Sequence, residues 1–275
     1  MSEAFSIMMW PFLACFLLPG ILVYFGLHIV RREIIFVDLA LAQVAAMGIC
    51  LAILLGHDAH DWQTIAWSAA FTLVGAGVLT LTRSSMRRVP QEALIGIVYV
   101  VAAAASFLLL SRSPEGNEEL RKTLVGEILL VRPNEVLRTF ALFVAVGAVH
   151  VGFRRPFLLL SFNPVRGRAE GLRFWLWDFL FYALFGVVVT SFVRMGGVLL
   201  VFSYLIIPAV CANLFTKSLR VQLAVGWLVA TLAGVTGLYA SYRLDLPTGA
   251  TIVCALGLAL LLSGIGRTAG GLLKR

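Results

Sequence analysis

The 275-residue chain is 60% hydrophobic, only 13% charged and has a mean hydropathy of +0.96, more apolar surface than a water-soluble domain of this size can cover. Its net charge of +8 does not mark a nucleic-acid binder, because the Arg and Lys stand in short clusters between apolar runs and form no basic helix face. No GxxxxGK[ST] phosphate loop and no HExxH helix is present, so neither ATP hydrolysis nor zinc-dependent hydrolysis has its usual residues here.

The first apolar run, 11–30, is preceded only by the charge of Glu3 and followed by Arg31 and Arg32, the reverse of a secretory signal. It reads as a retained helix with its N-terminus outside. Runs at 34–55, 62–81, 91–110, 136–152, 174–193, 197–215, 221–240 and 250–262 follow, most of them about 18–22 residues and long enough to cross a hydrocarbon core of about 30 Å. The expectation is an all-α polytopic bundle of about nine spans, built as a single transmembrane domain over residues 1–275. Alternating sides place the Arg clusters at 31–32, 83–88, 154–173, 217–220 and 267–275 on one face, the cytoplasm by the positive-inside rule. The C-terminus then lies inside. Cys15, Cys50, Cys211 and Cys254 each stand alone in an apolar run, where a thiol serves as a small packing group.

Two connections are too long to be simple turns. The first, 111–135, holds an apolar stretch at 124–131 that is too short to span and reads as a surface or re-entrant helix containing Glu127. The second, 154–173, is basic and cytoplasmic. Within it Asn163 before Pro164 reads as the cap and first turn of a short helix through Val165, Arg166, Gly167, Arg168, Ala169 and Glu170, with Gly171 as its stop. Such a helix can dock a partner; a solvated loop is the plainer reading.

Few residues could carry chemistry. Asp38 near the start of the second span can cap backbone N–H groups, pair with Arg31, or touch a passing cation. The loop 56–62 gathers His57, Asp58, His60 and Asp61, nitrogen and oxygen donors suited to zinc, manganese or ferrous iron, although a solvated loop explains them too. Asp178, behind Arg173, Trp175 and Trp177, reads as part of an interfacial anchor. Pro208 removes a backbone hydrogen bond inside an apolar helix and should kink it, as a static bend or a gate. Gly196 and Gly197 mark an external turn or a close helix contact.

Five strings, in order, carry a resemblance: Arg31-Arg32 with Phe36-Val37-Asp38-Leu39-Ala40; Glu92-Ala93-Leu94-Ile95-Gly96-Ile97; Leu124-Val125-Gly126-Glu127-Ile128-Leu129; Gly197-Val198-Leu199-Leu200-Val201 with Leu205-Ile206-Ile207-Pro208-Ala209; and Leu244-Asp245-Leu246-Pro247-Thr248-Gly249-Ala250-Thr251-Ile252-Val253. In these the chain resembles the membrane permeases of zinc, manganese and iron ABC importers, which share an architecture with vitamin B12 and siderophore permeases. The resemblance implies a homodimer in the bacterial plasma membrane with no catalytic residues and no cofactor of its own. It also implies two cytoplasmic ATPase subunits and an extracytoplasmic metal-binding protein, with the segment from Asn163 to Gly171 similar to the helix that couples permease to ATPase. Two positions depart from the pattern: Asn163 stands where an aspartate is usual, and Asp38 lacks the His four residues on, having Ala42 there and Gln43 beside it. Permeases for a metal chelate, and secondary transporters, are the alternative readings.

Overall fold

The computed structural model describes residues 2–57, 61–85, 89–111 and 128–272. Among these there is no strand. The helices are α1 (Ser2–Leu17), α2 (Pro19–Arg32), α3 (Val37–Leu54), α4 (Trp62–Ser85), α5 (Gln91–Leu110), α6 (Pro133–Gly152), α7 (Arg154–Phe162), α8 (Pro164–Ala169), α9 (Phe174–Phe215), α10 (Leu219–Leu244) and α11 (Thr248–Leu272), with one 3-10 turn at Ile128–Leu130. Proline opens α2, α6 and α8, where its missing N–H is no loss and its fixed φ suits the first turn. The apolar stretch expected at 124–131 is described only from residue 128 onward, as that 3-10 turn; Glu127 lies outside the described residues.

Among the described residues, eight helices are long and apolar enough to cross a membrane, α1 and α2 counting together as Met8–Arg32. One of them, α9, has 42 residues, about 63 Å at 1.5 Å per residue and so twice the hydrocarbon thickness. Its one residue off helical dihedrals is Gly197, at φ 74° and ψ 163°, a conformation that glycine alone takes without cost. The break in α9 therefore falls at the glycine that the sequence marks as a turn. Pro208 sits inside the helical run with no such departure.

The helices gather into two compact units. One comprises residues 1–30, 125–145 and 195–275; the other comprises 31–124 and 146–194. In the first, α10 packs on α11 and on α1, and small residues set the approach. A Cβ at Gly26 would lie 1.9 Å from the Leu205 carbonyl oxygen, so α2 and the second half of α9 meet backbone to backbone there. In the second unit α3 lies against α4 and α5 and is buried along most of its length. Several hydroxyls inside the spans are satisfied by their own helices, as Thr72 on Ser68 O, Thr80 on Ala76 O and Ser106 on Ala102 O, so these three leave no bare polar group. Val74, Val100, Leu108, Leu232 and Leu261 are exposed apolar residues on these helices, a surface that a bilayer can cover.

Candidate functional site

Two carboxylates, one at the start of α3 and one at the start of α5, lie near enough to interact. Asp38 is the second residue of α3, at the positive end of the helix dipole, and only 2% exposed. Glu92 is the second residue of α5, and its Oε1 accepts the Phe36 N–H at 3.2 Å, which fixes the turn before α3. The two side chains interact electrostatically. Asp38 Oδ1 and Glu92 Oε2 are each buried with no hydrogen-bond partner, and neither carboxylate has an ion pair among the described residues. Arg31, one of the partners open to Asp38 in the sequence, lies instead over the Phe162 ring at 5.7 Å. Two buried acceptors with unfilled lone pairs are costly unless something positive reaches them.

Gln43 is buried at 8% exposure on the same helix. Its offset of five residues from Asp38 turns it by about 140° around the helix axis, so the two cannot face one ligand. The carboxylate that joins Asp38 comes from α5, 54 residues along the chain, and no spacing rule within one helix could find it. Of the loop donors, His57 and Asp61 are described, His57 half-buried and Asp61 exposed; Asp58 and His60 lie outside the described residues. No group of three or more His, Cys, Asp or Glu is placed to hold a metal ion among the described residues.

In the basic connection, Asn163 ends α7 and starts α8, its Oδ1 accepting the Arg166 N–H at 3.2 Å. Pro164 is the first residue of α8, and Gly171, at φ +73°, turns the chain out of it. Gly167 is buried against Phe174 and Leu172, while Val165 is 76% exposed and Arg166, Arg168, Ala169 and Glu170 line the rest of the segment. Glu170 Oε1 accepts from Arg166 Nε and Oε2 from Arg155 Nη2, each at 2.9 Å. The Arg166 hydrogen bond, helped by the charge of Arg155, holds this carboxyl below the usual glutamate range.

Asp178 is not a surface anchor. Its Oδ1 accepts from Arg32 Nη1 at 3.1 Å and from Arg83 Nη1, and the carboxyl is buried because both guanidiniums compensate it. Arg32 also donates from Nε to Ser161 Oγ at 2.7 Å and stacks over Phe181 at 3.7 Å. These pairings span 146 and 95 residues of sequence.

Residues 4–267 match the ABC 3 transport family. The chain belongs to that family. Among curated relatives this ABC 3 family member is 26% identical over 228 residues to the manganese transport system membrane protein MntC of Halalkalibacterium halodurans, covering 83% of this chain and 76% of the relative. It is 30% identical over 238 residues to the zinc transport system membrane protein TroC of Treponema pallidum, covering 84% and 79%. In fold it is similar to PsaBC from Streptococcus pneumoniae in complex with Fab, with a TM-score of 0.79 over 95% of this chain and 92% of that one at 21% identity. An inward-facing metal-chelate type ABC transporter aligns with a TM-score of 0.71 over 94% and 85% at 18% identity. The ABC 3 family member is therefore a membrane transport subunit with the helical fold expected of it.

Proposed function

We propose that this chain is the permease subunit of an ATP-driven importer for a divalent transition-metal ion, with manganese and zinc ahead of iron because the named relatives move those two. It works as a pair of copies in a bacterial plasma membrane, N-terminus outside and C-terminus inside. An extracytoplasmic binding protein delivers the ion, and cytoplasmic ATPases dock on the segment from Asn163 to Gly171. The observation that carries the ion reading is the pair Asp38 and Glu92, each with one buried oxygen that has no hydrogen-bond partner.

A divalent cation between these carboxylates would offset their repulsion and engage the two unpaired acceptors. Hard oxygen donors hold manganese or ferrous iron adequately and zinc less well than imidazole does. A site with few donors lets the ion go again, which a pathway requires and a storage site does not. The positive ends of α3 and α5 stabilise the two anions while the site is between ions, so the pair survives burial without a resident metal. His57, Asp58, His60 and Asp61 would make a first, solvated contact at the external mouth.

The test is uptake of radiolabelled manganese, zinc and iron by cells that lack other importers. Asp38→Ala and Glu92→Gln should each lower uptake by about tenfold or more, and His57→Ala with His60→Ala should lower it less. Gln43→His, which lies on another side of α3, should leave ion preference near that of the parent. Transport of a chelated metal or an organic solute, with none of the three free ions moved, would overturn the substrate while leaving the permease intact.

A further inference from the structure

The buried ion-pair node around Asp178 is separate from the carboxylate pair proposed for the ion, and it joins α2, α4, α7 and α9. We infer that Arg32, Asp178 and Ser161 are positioning residues that carry the displacement of α7 and α8 to the carboxylate pair at the start of α3 and α5; this rests on the reading of α8 as the segment on which the ATPase acts.

The path is continuous within one compact unit. Asn163 is shared by α7 and α8, so the two short helices cannot shift independently at that joint. Near the end of α7, Ser161 Oγ accepts from Arg32 Nε at 2.7 Å, and Phe157 packs on Trp177 with ring centroids 5.5 Å apart. The Arg32 side chain is 1% exposed, held flat on Phe181 and bound to Asp178, and Arg83 at the end of α4 shares the same carboxylate oxygen. One turn beyond Asp178 on α9, the hydroxyl of fully buried Tyr182 accepts from Gln91 at the start of α5, at 2.9 Å. From Arg32 the turn 33–36 leads directly to Phe36, whose N–H is bonded to Glu92, and then to Asp38. A guanidinium with a planar fork, stacked on a ring and hydrogen-bonded on two sides, transmits a shift in place of absorbing it.

Two cations on one carboxylate is also a poor choice for static stability alone. Breaking such a pair is costly, but replacing it with apolar packing is often neutral or better in a buried site. Arg32 Nη2 is itself buried without a hydrogen-bond partner among the described residues. A donor left unsatisfied at this node is a hydrogen bond that a second arrangement of the same groups could make, which is what a moving joint requires.

The experiment uses the whole importer, permease with its ATPase and binding protein, in liposomes. Metal ions taken up per ATP hydrolysed are measured beside the thermal midpoint for Ser161→Ala, Asp178→Asn and Asp178→Glu, with Gly167→Trp as the probe of α8 itself. Ser161→Ala removes one hydrogen bond and leaves the ion pairs in place. It should lower ions per ATP by about threefold at an unchanged midpoint, and Asp178→Asn by about tenfold, with Asp178→Glu recovering much of the loss. A parental ratio in both Ser161→Ala and Asp178→Asn, or a fall in uptake, hydrolysis and midpoint together at constant ratio, overturns the inference. If Gly167→Trp uncouples hydrolysis from uptake while neither Ser161→Ala nor Asp178→Asn does, the node alone is wrong. If Gly167→Trp changes nothing, the α8 reading fails and the node with it.

Discussion

Gly26→Ala is the substitution whose cost can be read most directly from the packing. The added methyl would stand 1.9 Å from the Leu205 carbonyl oxygen, 2.8 Å from its carbon and 3.2 Å from Ala209 Cβ. A carbon and a carbonyl oxygen come no nearer than about 3.3 Å, so α2 and the second half of α9 must part by more than about 1 Å. No side-chain rotation relieves this, because the obstacle is backbone. Overpacking costs about 1–3 kcal/mol when side chains can give, and here the upper end applies, about 3 kcal/mol. At about 2–4 °C per kcal/mol for a chain of this size, the thermal midpoint should fall by about 6–12 °C. The assay is thermal unfolding of the purified protein in detergent, with Gly96→Ala and Gly147→Ala as controls, since nothing lies within 4 Å of a Cβ at either position. A Gly26→Ala midpoint equal to that of the two controls would refute the backbone contact and the packing argument built on it.

Two further outcomes follow from the turn after α2 and from the surface of α8. Glu33 holds φ at +58°, a left-handed conformation that a β-branched residue tolerates poorly, so Glu33→Val should lower stability by about 1–2 kcal/mol while Glu33→Asn does not, measured by the same unfolding assay. Because the Glu170 carboxyl is held below its ordinary value by Arg166 and Arg155, its contribution to the order of α8 is present in full above pH 4.5 and is lost as pH falls through the lower folded value. A spin label at Val165 should report that loss in the parent and none in Glu170→Gln; identical pH profiles would remove the carboxylate from the argument.

What can be read from the sequence is local. The spans follow from apolar length, the start of α8 from Asn163 and Pro164, its end from Gly171, and the break in α9 from Gly197, because each signal acts within a turn or two of its own position. The site is only half legible. Asp38 stands out as a charge in an apolar run, and Gln43 reads as a further oxygen donor beside it, but the offset of five residues turns Gln43 away, and the carboxylate that interacts with Asp38, Glu92, belongs to another helix. Asp178 resembles an interfacial residue because two Trp and an Arg precede it, and its burial depends on Arg32 and Arg83, both remote in sequence. Charges that compensate one another across 95 or 146 residues leave no periodic trace. The ligands of loop 56–62 are visible as residue types, yet Asp58 and His60 lie outside the described residues.

The Phe16 carbonyl at the end of α1 accepts the Trp227 indole N–H at 2.9 Å, and the two rings meet edge to face at 4.9 Å. The donor comes from α10, 211 residues later. During synthesis the first span enters the bilayer long before that tryptophan exists, and a helix end leaves carbonyls without intrahelical donors, which hydrocarbon cannot satisfy. Until α10 arrives, the Phe16 carbonyl lacks the indole donor that it has in the folded chain. The N-terminal span therefore gains this contact only when one of the last spans is in place.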